Sequence, residues 1–400
     1  TRLLTEHAEH ELAADSHYAR ARARRLLKKY DESIADIQEF LKSKPEKKEA
    51  CDAQYLLGLC QVGQEKFKEA AATLDALVQD AECAAEDKVF YELGWAYKSL
   101  DDQENAAKTF QALSEKHPGS GFAPEALHHV GESHYDAKDF EEAVKWYQQA
   151  AEKAKKPDVG EKAAHKLGWA FYRLDDFEKG AAQFDAQIKK FPEGSLASDG
   201  QFMNGECLFK TKMHAPALAA YDKAIAGFEK AGEAANPAFF QLALLHGAQS
   251  AGKIKPPNWK RSLELVGQLL TKHPESTHLS EAHYEQGWAL QNTKMTDPAL
   301  ASYEKSTDAG TGEPAARAWF MRGQIYFGKK EHGEAVKNFI RASLYPYPEV
   351  AANSLFEAGR CLEVLKKPEQ ALKTYKELVA KYADSDQVAP AQARIKALGG

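Results

Sequence analysis

The chain has 400 residues, 44% hydrophobic and 28% charged, a globular composition with no extreme. Its formal net charge of -6 and pI near 6.2 argue against residence on duplex nucleic acid, which favours the opposite sign. No apolar run approaches the roughly 18 residues of a membrane-spanning helix, and five cysteines are too few for a disulfide scaffold.

From the N-terminus, the polar stretch Thr1 to His10 does not read as a signal peptide, and a start without Met reads as a processed protein or an excised segment. Ala21, Ser33 and Ile37 then open a pattern that returns along the whole chain. A glycine recurs as Gly58, Gly94, Gly131, Gly168, Gly205, Gly247, Gly287, Gly323 and Gly359, at steps of 36, 37, 37, 37, 42, 40, 36 and 36 residues. Twelve residues after a glycine comes a small residue (Ala70, Ala106, Ala143, Gly180, Ala217, Ala299, Ala335, Ala371). Sixteen after comes a large apolar one (Leu74, Phe110, Tyr147, Phe184, Tyr221, Tyr303, Phe339, Tyr375). A helical glycine costs about 1 kcal/mol relative to alanine, so its return predicts a neighbouring backbone too close for a side chain.

Around Gly168 the local pattern is plain. Leu167, Phe171 and Leu174 make one helical stripe, Asp175-Asp176 the turn, and Phe177, Ala181, Phe184 and Ile188 a second stripe. Pro192 ends the second helix. One hairpin cannot bury both stripes, so it must stack on its neighbours. The spacing predicts about ten such hairpins and no strands.

Connectors recur as His117-Pro118-Gly119-Ser120, Phe191-Pro192-Glu193-Gly194-Ser195, His273-Pro274-Glu275-Ser276 and Tyr382-Ala383-Asp384-Ser385, with the serine expected as an N-cap. The 42- and 40-residue steps flank Gly247, which suggests a hinge-like flaw. The expected organisation is 1–228 for the first five repeats, 229–260 for an irregular region, 261–386 for the later repeats, and 387–400 for a capping helix and tail.

Glycine, downstream alanine, aromatic and closing proline together resemble the tetratricopeptide repeat (TPR), at a pitch of 36 to 37 rather than about 34. The longer connectors resemble those of bacterial envelope TPR proteins, such as the Tol-Pal coordinator and the lipoprotein partner of the outer-membrane β-barrel assembly machine. The resemblance implies an all-α, right-handed solenoid that works as a non-catalytic protein-binding scaffold, in the periplasm or cell envelope, with the cytoplasm as the alternative.

The resemblance also implies that the residues three before and one after each glycine face a concave groove. Three before stand Tyr55, Tyr91, His128, His165, Phe202, Leu244, Tyr284, Phe320 and Phe356; one after stand Trp95, Trp169 and Trp288, with Arg360 in the same place on the last hairpin. The expected groove residues are Tyr91, Trp95, His165, Trp169, Phe202, Tyr284, Trp288, Phe320 and Arg360, suited to an extended or helical peptide. The alternative is that these rings only pack between first helices. The family's carboxylate clamp would need Lys and Asn where this chain has aromatics, and an asparagine ladder is missing two before the glycine.

Other candidate chemistry is sparse. Cys60, Cys207 and Cys361 fall two after a glycine, where other repeats have Ala96, Ser133, Ala170 and Ala289, so they read as small packed residues; the spacing does not decide the state of Cys51 and Cys83. The clusters His7, His10, Glu11 and His128, His129, His134 match no metal-ligand spacing. No phosphate loop or nucleophile motif stands out, so neither a cofactor nor an enzymatic activity is expected. Arg20, Arg24 and Lys28 form a basic stripe, expected to pair with Glu6, Glu9, Glu11 and Asp15. Rival readings are a self-associating structural subunit and a metal-dependent protein that uses the histidines.

Overall fold

The computed structural model describes residues 2–6, 9–83, 86–232 and 236–400. Among them the chain is all-α: 22 α-helices, a short 3-10 turn at Ala81–Cys83, and no strand. It divides into two compact units, Thr1–Ala197 and Ser198–Gly400.

In the first unit, α1 (Arg2–Glu6) precedes five hairpins. They are α2 (Ala13–Leu26) with α3 (Tyr30–Lys42), α4 (Lys47–Gly63) with α5 (Phe67–Gln79), α6 (Asp87–Ser99) with α7 (Gln103–Lys116), α8 (Ala123–Asp136) with α9 (Phe140–Lys153), and α10 (Pro157–Arg173) with α11 (Phe177–Lys190).

The second unit holds five more hairpins and a final helix. They are α12 (Ala197–Lys210) with α13 (His214–Ala231), α14 (Pro237–Lys253) with α15 (Trp259–Lys272), α16 (Leu279–Asn292) with α17 (Thr296–Ala309), α18 (Glu313–Gly328) with α19 (His332–Ser343), α20 (Pro348–Val364) with α21 (Pro368–Lys381), and then α22 (Val388–Ala397). Within each unit the first helix of a hairpin packs on its own second helix, which packs on the next first helix. α22 lies on α21 and covers Tyr375 and Leu378, so it serves as the expected cap.

The repeated glycine has a different cause from the one the sequence suggested. The group against it is the large side chain sixteen residues on, not a neighbouring backbone. A Cβ on Gly94 would lie 2.5 Å from the Phe110 ring, on Gly168 2.7 Å from Phe184, and on Gly359 2.5 Å from Tyr375. Glycine and aromatic are therefore one device, a ring of the second helix seated on the bare backbone of the first. The small residue twelve after the glycine is fully buried in the same seam, as at Ala143, Ala217 and Ala371.

Nine hairpins share a left-handed turn, Lys28 in the first and a matching residue in eight others, a geometry that the turn expected at Asp175-Asp176 did not specify. The residue seven after the glycine is left-handed: Glu65, Asp101, Lys138, Asp175, Lys212, Lys294, Lys330 and Lys366, with φ from 54° to 64°. The next backbone N–H returns to a carbonyl five residues back, as in Asp176 to Phe171 at 3.0 Å and Lys367 to Leu362 at 2.9 Å. This is the helix-ending loop usually given to glycine. Asp102, Asp139 and Asp176 then cap the second helix, each accepting from the backbone N–H three residues on.

The connector serines act two residues ahead of the cap position. Ser120, Ser276 and Ser385 accept from the N–H of Phe122, His278 and Gln387 at 3.0, 3.1 and 3.2 Å. The segment 229–260 lies inside the second unit. There the Gly247 helix meets Leu265, eighteen residues on, instead of an aromatic at sixteen. Its hairpin turns through a cis Lys255–Pro256 bond, and Trp259 covers Gly252.

The basic stripe also pairs otherwise than expected. Arg20 and Arg24 both reach Asp36 on α3, at 2.6 Å each, and His17 adds a third contact at 3.0 Å. Asp36 is only 2% exposed. Although burial opposes it, these partners hold its carboxyl down at about 2. Cys51 and Cys83 form a disulfide across a separation of 32 residues, while Cys60, Cys207 and Cys361 are free and buried.

Candidate functional site

In the second unit, α14, α16 and α18 leave a cavity of about 850 Å³ between them. Its apolar walls are Tyr284 and Trp288 of α16 and Trp259 from the start of α15; its polar groups are Gln249 and Lys253 of α14, Glu281 and Glu285 of α16, and Glu313 and Arg317 of α18. A second pocket of about 330 Å³ continues the trough across α18 to α20, with Tyr284, Trp288, Arg317, Phe320 and Glu349 on its walls.

Helical spacing explains the convergence. Positions 281, 284, 285 and 288 fall on one face of α16, and Glu313 and Arg317 are four apart on α18. Tyr284 is seated by the Tyr303 ring, 5.9 Å away between centroids. Trp288 is 37% exposed, and among the described residues no aromatic or cationic group lies over its ring. A large ring held out in a cavity is available for a ligand to cover.

The charges are partly satisfied. Arg317 is held by Glu313 at 2.6 Å, and the Gln249 amide donates to Glu281 at 2.8 Å. Lys253 is exposed at the rim, its Nζ 4.9 Å from the centre of the Phe209 ring. Burial pushes Glu285 up to about 7, with Lys253 opposing and Glu281 assisting the shift. Burial likewise pushes the Tyr284 phenol up to about 12.

The other expected groove residues are placed differently. Phe202 is 2% exposed and stacks on Phe239 at 4.6 Å. His165 is 7% exposed, with Gln187 on Nδ1 at 3.1 Å and the Trp169 indole N–H donating to Nε2 at 3.0 Å. These two are packing residues and offer no surface, a correction to the expected groove set. Tyr91 is stacked on Phe122 at 4.4 Å, and Trp95 meets Phe110, His129 and the Lys98 ammonium. Arg360 stands in a separate pocket beside Phe327, paired with Glu357 at 3.0 Å. Phe320 lies against Phe339 at 5.5 Å and keeps an edge in the trough. Of the nine, the structure brings Tyr284, Trp288 and Phe320 together.

The sequence reading passed over Glu285, Glu281, Gln249, Arg317 and Trp259. A signal was present, because Tyr284-Glu285-x-Gly287-Trp288-Ala289 repeats Tyr91-Glu92-x-Gly94-Trp95-Ala96. The described histidines of these clusters contact neighbouring side chains or backbone. His129 contacts Glu132 and Lys98 at 2.8 and 2.9 Å, His134 stacks on Trp146, and His10 accepts from the Leu12 N–H; His7 lies outside the described residues. Among the described residues no group of three or more His, Cys, Asp or Glu is placed to hold a metal ion, and no helix is long and apolar enough to cross a membrane.

Stacked two-helix units with a trough along their first helices define an α-helical repeat protein of the solenoid class. The tetratricopeptide repeat pattern matches residues 18–86, 91–158, 165–235 and 284–351, and a second form of it matches 353–385. The chain belongs to the tetratricopeptide repeat family.

No protein of curated function matches the chain. Among solved structures it is similar to the C-terminal part of a TPR repeat-containing protein from Cytophaga hutchinsonii, at 14% identity and TM-score 0.49, over 65% of this chain and 96% of that one. It is also similar to a tetratricopeptide repeat protein from Parabacteroides merdae, at 16% identity and TM-score 0.42, over 67% and 98%. A third is MamA from Desulfovibrio magneticus RS-1, at 17% identity and TM-score 0.38, over 46% and 94%.

Proposed function

We propose that this chain is a non-catalytic scaffold that holds a peptide segment or a partner protein in the trough of its second unit. The observation that carries the reading is Trp288, exposed in a cavity of about 850 Å³ and flanked by Tyr284 and Trp259. Aromatic anchors in such a pocket typically contribute about 2 kcal/mol or more to an interface, and charged groups around them set orientation. The cell envelope, and the periplasm within it, is the proposed compartment. Its support is the Cys51–Cys83 disulfide, which persists where thiols are not kept reduced, together with the connector resemblance.

The test is affinity capture from the native extract by the wild-type chain and by Trp288→Ala, with circular dichroism and melting as controls. Partners held by wild type and lost by a variant of unchanged helicity and melting support the reading. Equal capture by both, or capture of this chain alone, sinks it and leaves another surface or self-assembly.

A further inference from the structure

Two hairpins carry the same six-residue motif, and they differ in what covers the tryptophan. In α6, Lys98 lies four after the glycine and sets its Nζ 5.1 Å from the centre of the Trp95 ring, where Glu132 and His129 hold it at 3.1 and 2.9 Å. The equivalent of Lys98 in α16 is Gln291, whose side chain is taken by the Tyr303 hydroxyl at 2.9 Å. Among the described residues the Trp288 ring thus lacks the cation, and also the Phe110 and His129 rings, that meet its twin Trp95.

Carboxylates complete the comparison. Glu281, Glu285, Glu313 and Glu349 line the trough against Lys253 and Arg317, an excess of two negative charges once Glu285 is ionised. Arg317 is already committed to Glu313, and Lys253 sits at the rim over Phe209. The groups facing Glu285 are Gln249 and Lys253 from α14, Glu281 on its own helix, Glu313 and Arg317 from α18, and Trp259 from α15.

We propose that the α14–α16–α18 cavity takes a lysine or arginine side chain of an extended partner segment, with the ring of Trp288 beneath the cation and Glu285 as its counter-charge. This rests on the trough reading above and names the chemistry of its occupant. A cation over tryptophan is favourable, more so when partly desolvated, and a carboxylate alongside adds direction. Because Glu285 stands near 7 in the empty cavity, an arriving cation favours its ionised form. Binding then releases a proton below neutrality, and affinity rises with pH as the carboxyl ionises.

The probes are three fluorescein-labelled nonapeptide pools, degenerate at the flanks and carrying Lys, norleucine or Glu at the centre, read by anisotropy with the full chain. The lysine pool is expected to bind about tenfold tighter than norleucine at pH 8, with the gap closing toward pH 6, where Glu285 is about nine-tenths protonated. Glu285→Gln should narrow the gap and remove its pH dependence, and Trp288→Ala should weaken both pools. If Glu285→Gln does not fold, the wild-type pH profile decides alone. Equal binding of lysine and norleucine, or preference for the Glu pool, overturns the cationic occupant; the trough reading survives if Trp288→Ala still abolishes binding. Binding of none of the pools overturns both.

Discussion

The Phe184 ring fills the space that a Cβ on Gly168 would need, with its nearest atoms 2.7 Å from that point. The same relationship links Gly94 to Phe110 and Gly359 to Tyr375, so the most regular feature of the sequence is a steric pairing inside each hairpin. An alanine at 168 would gain about 1 kcal/mol of helix propensity, but it must displace a fully buried ring, and overpacking costs about 1 to 3 kcal/mol. Gly168→Ala is therefore expected to lower the melting temperature, and Gly168→Ala with Phe184→Leu to recover part of it. A single variant that melts above wild type would show that the ring moves freely.

Why the fold was legible and the site less so follows from these pairs. Glycine, alanine and aromatic at fixed offsets encode contacts within one hairpin, and local contacts survive as spacing. Phe202 on α12 and Trp288 on α16 both occupy expected groove positions, yet one is sealed by Phe239 and the other stands open. That difference is set by the next hairpin, which the offsets do not describe. Asp36 was missed for the same reason, because it meets Arg20 and Arg24 across the turn rather than at a helical interval. The state of Cys51 and Cys83 depended on a loop path between hairpins, which spacing does not encode.

The left-handed turn residues are a reservoir of stability. Lys330 holds φ 63° with an exposed side chain, and a non-glycine residue there costs about 1 to 2 kcal/mol. Glycine removes that strain but adds about 0.4 to 1 kcal/mol of unfolded-state entropy. Lys330→Gly is expected to raise stability by a few tenths up to about 1 kcal/mol, and Lys330→Val to lower it. Urea titrations of the two variants give the order, and a less stable glycine variant would contradict the turn assignment.

The disulfide fastens one hairpin near the N-terminus. Cys51 lies in the first turns of α4 and Cys83 just beyond α5, with 32 residues between them. Chain-entropy reasoning puts its stabilisation at about 3 to 4 kcal/mol. Dithiothreitol, or Cys51→Ser with Cys83→Ser, should therefore bring forward the unfolding of the first unit in urea while the second unit is unaffected. Thiol labelling of the native reduced protein should modify Cys83 first, reach Cys51 more slowly because it is only 7% exposed, and spare the fully buried Cys60, Cys207 and Cys361. Identical titrations with and without reductant would show that the bond does not stabilise the unit.

His165 ties stability to pH through its tautomer. The Trp169 N–H donates to Nε2, so Nε2 is an acceptor, and Nδ1 carries the proton that it donates to Gln187. Protonation would put a second proton against the indole N–H. Burial is the main cause that pushes the group down to about 4, against an ordinary 6.5, and only the Gln187 bond opposes it. The folded state thus binds fewer protons than the unfolded one, so this stabilisation is present above about 6.5 and is lost as pH falls toward 4. A fall of that size amounts to roughly 3 kcal/mol at full expression. His128, also held near 4 by burial, adds a parallel loss in the same unit. Melting of the first unit should decline steadily from pH 6.5 to 4, with less decline in His165→Gln. A flat profile across that window in wild type would mean that His165 takes up its proton without disturbing the pair.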